Sequence, residues 1–206
     1  MTHSHDDISI GITGASGAIY AIRLLELLAQ HQHRMHLMIT DAARMVLAME
    51  LGIQLPKNLK QTEKTLGKLC GATDGQIKVY ANQDWLSPVA SGSSAPRRMV
   101  VVPCSTGTLS AIATGASNNL LERAADVVLK ERGKLIVVPR EMPLHSVHLR
   151  HMLTLSELGA LVMPASPGFY HGAKSVQQLV DFVVARILEH LGVAQDLVPK
   201  WGYDTP

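Results

Sequence analysis

Charge is the scarcest ingredient of this 206-residue chain: Asp, Glu, Lys and Arg make up 17% of it, against about a quarter in ordinary soluble domains. The charges nearly cancel, with 19 Lys and Arg against 17 Asp and Glu for a net of +2. Such a balance attracts a phosphate backbone weakly and argues against a dedicated nucleic-acid binder. There are only two cysteines, Cys70 and Cys104, far apart and in unlike contexts. That excludes a small disulfide scaffold and points to a reduced, cytoplasmic protein. Aromatics are sparse too, at two Trp, two Phe and four Tyr. No stretch approaches the ~18 unbroken apolar residues of a membrane span, and residues 1–7 are a polar, His-rich tail with no signal-peptide core behind them. What is present is apolar aliphatic residue in quantity. At 47% hydrophobic the chain is no disordered segment. A soluble monomer of this size needs a polar skin, so the missing charge points to surface buried against other copies.

Short apolar runs alternate with helical patterns along the chain. Strands are expected over 8–13, 34–40, 76–80, 99–103, 134–139 and 160–164. Helices are expected over 18–30, from 41 to about 51, and over 63–70, 109–114, 119–132, 145–158 and 175–191, the last with an apolar stripe at helical spacing. Strand–loop–helix repeated in this way predicts one α/β domain over 8–206: a three-layer, Rossmann-like parallel sheet with helices on both faces. The strands are near-continuous apolar runs, as expected where both faces are covered. In such sheets ligands bind beyond the carboxyl ends of the strands.

The loops at those ends carry the chemistry. Thr13-Gly14-Ala15-Ser16-Gly17-Ala18 sets a hydroxyl between glycines at a helix start, where backbone N–H groups and the helix dipole suit an anion. The same residues also fit an ordinary strand–helix turn capped by Ser16. Ser105-Thr106-Gly107-Thr108 repeats the pattern after a second strand, and two such cradles suit a nucleotide-like ligand. The loop SGSSAP at 91–96 reads as a plain connection, as a segment that orders over a ligand, or as one that packs into a neighbouring subunit. Arg123 and Lys130 stand two turns apart on one helix face, Arg140 follows its strand directly beside Glu141, and Arg186 lies on the last helix. Taken alone, Arg123 reads as a solvated residue. Arg140 does not, because it falls at a strand end, and a second phosphate on a substrate would use such cations. Glu50 and Glu141 are the carboxylates able to move protons, although Glu50 also fits an exposed helix end. His145, His148 and His151 make no recognised metal-ligand pattern, so no metal is expected. Cys104 reads as a small packing residue.

Taken together, TGASGA at 13–18, SGSSAP at 91–96, PCSTGT at 103–108, NLLERAAD at 119–126, VPREMP at 138–143 and PASPGFY at 164–170 resemble the UbiX-type flavin prenyltransferases, in order and across nearly the whole chain. The resemblance implies a flavodoxin-like fold and a homododecamer binding FMN. It implies transfer of a dimethylallyl group from dimethylallyl monophosphate to reduced FMN, at N5 and then C6, without a metal. The product, prenylated FMN, would serve a UbiD-type decarboxylase in ubiquinone biosynthesis or aromatic-acid breakdown. Older names for the family are 3-octaprenyl-4-hydroxybenzoate carboxy-lyase and aromatic acid decarboxylase.

Residue by residue, the resemblance puts Gly14, Ala15, Ser16, Thr40, Ser105, Thr106, Gly107, Thr108 and Arg140 at flavin-contacting positions. Tyr170 and Arg186 fall at prenyl-phosphate positions, with Arg123 and Lys130 as further phosphate candidates. Trp85 and Trp201 fall at aromatic positions near the prenyl group and on a C-terminal tail, 192–206, that closes over the site. Ser16, Glu50 and Glu141 fall at catalytic positions. Thr40-Asp41 departs from the family's Ser followed by a basic residue: Thr keeps the hydroxyl, while Asp41 offers no phosphate contact. Two alternatives remain, a flavin-dependent decarboxylase of the cysteine-decarboxylase type and a non-catalytic FMN carrier. The first lacks its P-x-M-N motif, since the chain reads Pro139-Arg140-Glu141-Met142-Pro143 there. The second would not need so many cations.

Overall fold

The computed structural model describes residues 7–198. Six strands, β1 Ile8–Ile12, β2 Met35–Ile39, β3 Ile77–Tyr80, β4 Arg98–Cys104, β5 Lys134–Pro139 and β6 Leu161–Val162, form one sheet in the order β3-β2-β1-β4-β5-β6. All five pairings are parallel. Apart from the extra edge strand β3, the order is that of a flavodoxin-like doubly wound sheet, and the chain reverses its winding direction between β1 and β4. β1 is buried throughout, as is β4 beyond its first residue, because helices cover both faces.

Seven α-helices complete the three layers among the described residues: α1 Ala18–Gln30, α2 Asp41–Leu51, α3 Leu59–Cys70, α4 Thr106–Ala113, α5 Leu120–Lys130, α6 Ser146–Glu157 and α7 Val176–Leu191. On one face α1, α2, α3 and α7 pack Leu24, Leu28, Leu47, Leu66 and Ile187 against Ile10, Leu37 and Val100 of the sheet. On the other, α4, α5 and α6 bring Leu109, Leu121 and Leu155 onto Met99, Val101 and Val137. Gly11 lets α5 approach the sheet, since a Cβ there would lie 2.8 Å from Leu121 Cδ1.

The expected elements are all present, with shifted ends. The helix expected from 63 begins a turn earlier, at Leu59, where the Asn58 side chain accepts from Gln61 N. The helix expected from 109 begins at Thr106, so the hydroxyl run 106–108 is its first turn rather than a loop, capped by Ser105. A short 3-10 turn at Pro88–Ala90 has no counterpart in the sequence reading. Asp7, the last residue of the expected tail, is tied in by a 3.0 Å contact with His36 Nε2.

Candidate functional site

The carboxyl ends of β1, β2, β4 and β5 converge where the winding reverses. Thr13 closes β1 and is 1% exposed. Its Oγ1 donates to Pro103 O at 2.7 Å and accepts from Ser105 N at 2.7 Å, joining the two glycine- and hydroxyl-rich loops. Thr40 closes β2 and caps α2 by accepting from Ala43 N at 3.1 Å. Ser105 caps α4 through Thr108 N at 3.3 Å and bonds the Thr108 hydroxyl at 3.1 Å. Arg140 leaves β5 with its backbone N–H donating to Cys104 O at 3.4 Å.

Glu50, which the resemblance put at a catalytic position, stands at the centre of this cluster. α1 starts at Gly17, which has φ 109° and provides no side-chain cap. The Glu50 carboxylate, reaching over from the end of α2, accepts instead from Gly17 N at 3.0 Å and Ala18 N at 2.9 Å. Partial burial alone would raise its pKa, but the Ser16 hydroxyl, these two amides and the charge of Arg140 together bring it below the ordinary value. The anion cradle expected at TGASGA is therefore filled by the protein's own carboxylate. That leaves the start of α4 as the open cradle: a Cβ on Gly107 would meet nothing within 4 Å. Gly14 also has a packing task, because a Cβ there would lie 2.4 Å from Ala42 Cβ on the first turn of α2. Its lack of a side chain serves packing.

Two observations fit a flavin phosphate at this place. Arg140 Nε is buried and has no hydrogen-bond partner among the described residues, and the first turn of α4 presents hydroxyls and helix-terminal amides in the arrangement that binds phosphate. The residues present therefore fit FMN. Neither cysteine fits nucleophilic chemistry, since burial pushes both the Cys104 and the Cys70 thiol up to about 12. Among the described residues no three His, Cys, Asp or Glu side chains gather as a metal site. Asp41 is the first residue of α2, where a carboxylate suits the helix dipole.

The other predicted residues have their own local contacts. Glu141 is exposed beside Arg140 and accepts from its neighbour Met142 N. Tyr170, beyond β6, packs edge-on against Phe182 with centroids 5.6 Å apart, and Trp85 sits half-exposed in the turn after β3. Three of the cations have acidic partners. Arg123 pairs with Asp126 at 2.8 Å and donates to Ala90 O, Lys130 pairs with Glu131, and Arg186 pairs with Glu189.

The direction of the helices sets which end of the sheet some of these residues face. α5 ends at Lys130, just before β5 begins, and the loop 91–96 precedes β4, so both lie at the amino end of the sheet. The two meet there: a Cβ on Gly92 would come within 2.9 Å of Lys130 Nζ. α7 also ends there, with Arg98 donating to Leu191 O and Lys134 to His190 O. The tail expected to close the site starts from this far end, with Val193 buried and Leu197 against the core. Trp201 lies outside the described residues. A groove of about 950 Å³ lies at the β3 edge between α3 and the first residues of β2, away from the winding reversal, and its lining includes Arg34, Lys64 and Lys68. Thr13 is the residue of this site that sequence reasoning passed over. The available signal was a hydroxyl at the end of a buried, mostly apolar strand, which must find partners when buried.

A family profile described as Flavoprotein matches residues 1–188. A curated relative, flavin prenyltransferase UbiX of Pseudomonas aeruginosa, is 56% identical over 195 residues, covering 95% of this chain and 93% of the relative. The crystal structure of AnUbiX in complex with FMN and dimethylallyl pyrophosphate superposes with a TM-score of 0.84 at 34% identity, covering 95% of this chain and 97% of that one. A dodecameric FMN-dependent UbiX-like decarboxylase from Escherichia coli O157:H7 also has a TM-score of 0.84 at 34% identity, covering 95% and 98%.

Proposed function

The chain belongs to the UbiX family of flavin prenyltransferases, and from that membership we propose how its own residues carry the reaction. It is a prenyltransferase with flavin as acceptor. The donor is an allylic dimethylallyl phosphate, taken as the monophosphate on the family resemblance, while the AnUbiX crystals hold the pyrophosphate. Ser105, Thr106, Gly107 and Thr108 hold the FMN phosphate at the start of α4, with Arg140 Nε as a charged donor. Gly14, Ala15, Ser16 and Thr40 line the flavin.

Bound in its reduced form, the flavin supplies N5 and then C6 as the atoms that take the five-carbon group. Cleavage of the donor's C–O bond leaves an electron pair and charge on the departing phosphate. Tyr170, Arg186 and Arg140 donate to that charge, and Glu141 delivers a proton to it. Glu50, ionised in its amide nest, holds the proton released at C6, with Ser16 as its hydrogen-bond partner. Arg123, Lys130 and the loop 91–96 serve the site of a neighbouring copy, because Lys130 and that loop lie at the opposite end of the sheet from this chain's own site. A homododecamer, as in the Escherichia coli neighbour, supplies such neighbours. The product passes to a UbiD-type decarboxylase in the cytoplasm.

The observation that carries this reading is the buried, unpartnered Arg140 Nε at the winding reversal. Anaerobic incubation with reduced FMN and either dimethylallyl monophosphate or the pyrophosphate tests it. The expected result is flavin heavier by one C5 unit with the monophosphate. Flavin recovered unmodified from both donors contradicts it.

A further inference from the structure

We propose that Thr13 is a positioning residue for flavin binding, a single buried hydroxyl that holds the phosphate cradle of α4 in register with the β1 loop. The proposal rests on the reading that Ser105–Thr108 take the flavin phosphate. Pairing of β1 with β4 runs from Ile8↔Arg98 to Gly11↔Val101 and goes no further. Pro103 has no N–H to continue it, and the β4–β5 register also shifts between Val101 and Cys104.

Where the ladder stops, the Thr13 side chain takes over. It donates to Pro103 O and accepts from Ser105 N, both at 2.7 Å. A hydroxyl has one proton and two lone pairs, and both capabilities are engaged here. Ser105 in turn is the cap of α4 and binds both the amide and the hydroxyl of Thr108, so a shift of Ser105 N moves the whole first turn. At 1% exposure Thr13 is closed off from any ligand in the site. Its effect on flavin must pass through Ser105.

Valine keeps the shape of threonine but leaves Pro103 O and Ser105 N without their partner, whereas serine keeps both bonds. In the full chain, Thr13→Val is expected to raise the dissociation constant for FMN about tenfold, read by quenching of flavin fluorescence. Riboflavin, which lacks the phosphate, should bind within about twofold of wild type, and Thr13→Ser should restore FMN binding to within about twofold. Equal losses for FMN and riboflavin overturn the proposal. So does a lowered melting temperature with unchanged FMN affinity. If Thr13→Val does not fold, Thr13→Ala removes the same hydroxyl and is read in the same way, and failure of both to fold makes Thr13 a folding residue and overturns the proposal. Ser105→Ala and Thr108→Ala test the premise separately. If both bind FMN as wild type does, the cradle reading falls, and the role of Thr13 with it.

Discussion

Glu50 stands 33 positions from Gly17 in the chain, yet its carboxylate caps the helix that Gly17 opens. No spacing rule in the sequence connects them, because the contact is made when α2 folds back along α1. The consequence for pH follows from the direction of its shift. A carboxylate whose folded pKa is depressed stabilises the fold fully above its unfolded value, about 4.3, and loses that contribution as pH falls through the lower folded value. The melting-temperature gap between wild type and Glu50→Gln should therefore stay constant from pH 7 to about pH 5 and begin to narrow below about pH 4. A gap that is unchanged down to pH 3 would contradict the capping role. Arg140 was legible by its place after a strand, but its orphaned Nε was not. Arg140→Met should weaken FMN binding about 10- to 100-fold, the loss expected for a charged hydrogen bond, measured by flavin fluorescence titration. Unchanged binding would remove Arg140 from the phosphate site.

At the scale of elements, strands and helices were readable because apolar runs and helical periodicity persist over many residues. The errors fall at helix starts, where side-chain caps rather than periodicity set the boundary. The polar opening of α3 hid behind Asn58, and the hydroxyl run 106–108 looked like a loop until Ser105 was seen capping it. Glycine also carries a packing constraint at this scale: the nearest obstacle to a side chain at Gly14 is Ala42 on α2. Gly14→Ala should therefore cost about 1–3 kcal/mol in denaturant unfolding of the flavin-free protein. Adding Ala42→Gly should recover most of that loss, whereas additive losses in the pair would place the strain elsewhere.

For the whole molecule, the scarcity of charge has a structural counterpart in exposed apolar surface. Met142, Val147, Leu149 and Leu153 are exposed at and before α6, as are Leu86, Met49 and Phe169, surface that contact with other copies would bury. Light scattering should accordingly report a mass well above the 22.3 kDa of one chain. A monomer at micromolar concentration would contradict that. Which end of the sheet each cation occupies could not be read from sequence, since it depends on helices running back against the strands. On the proposed function, the site is divided between copies: Glu50, Arg140 and Glu141 at one end of a chain, Lys130 and the loop 91–96 at the other.

Mixed assemblies test this division most directly. Glu141→Gln and Lys130→Ala assemblies should each be inactive in anaerobic transfer of a C5 unit to reduced FMN. Co-assembled in equal amounts, the two variants should recover activity at about one site in four, because random mixing unites an intact half from each chain at that frequency. Mixed assemblies that stay as inactive as either parent would contradict a site shared between copies.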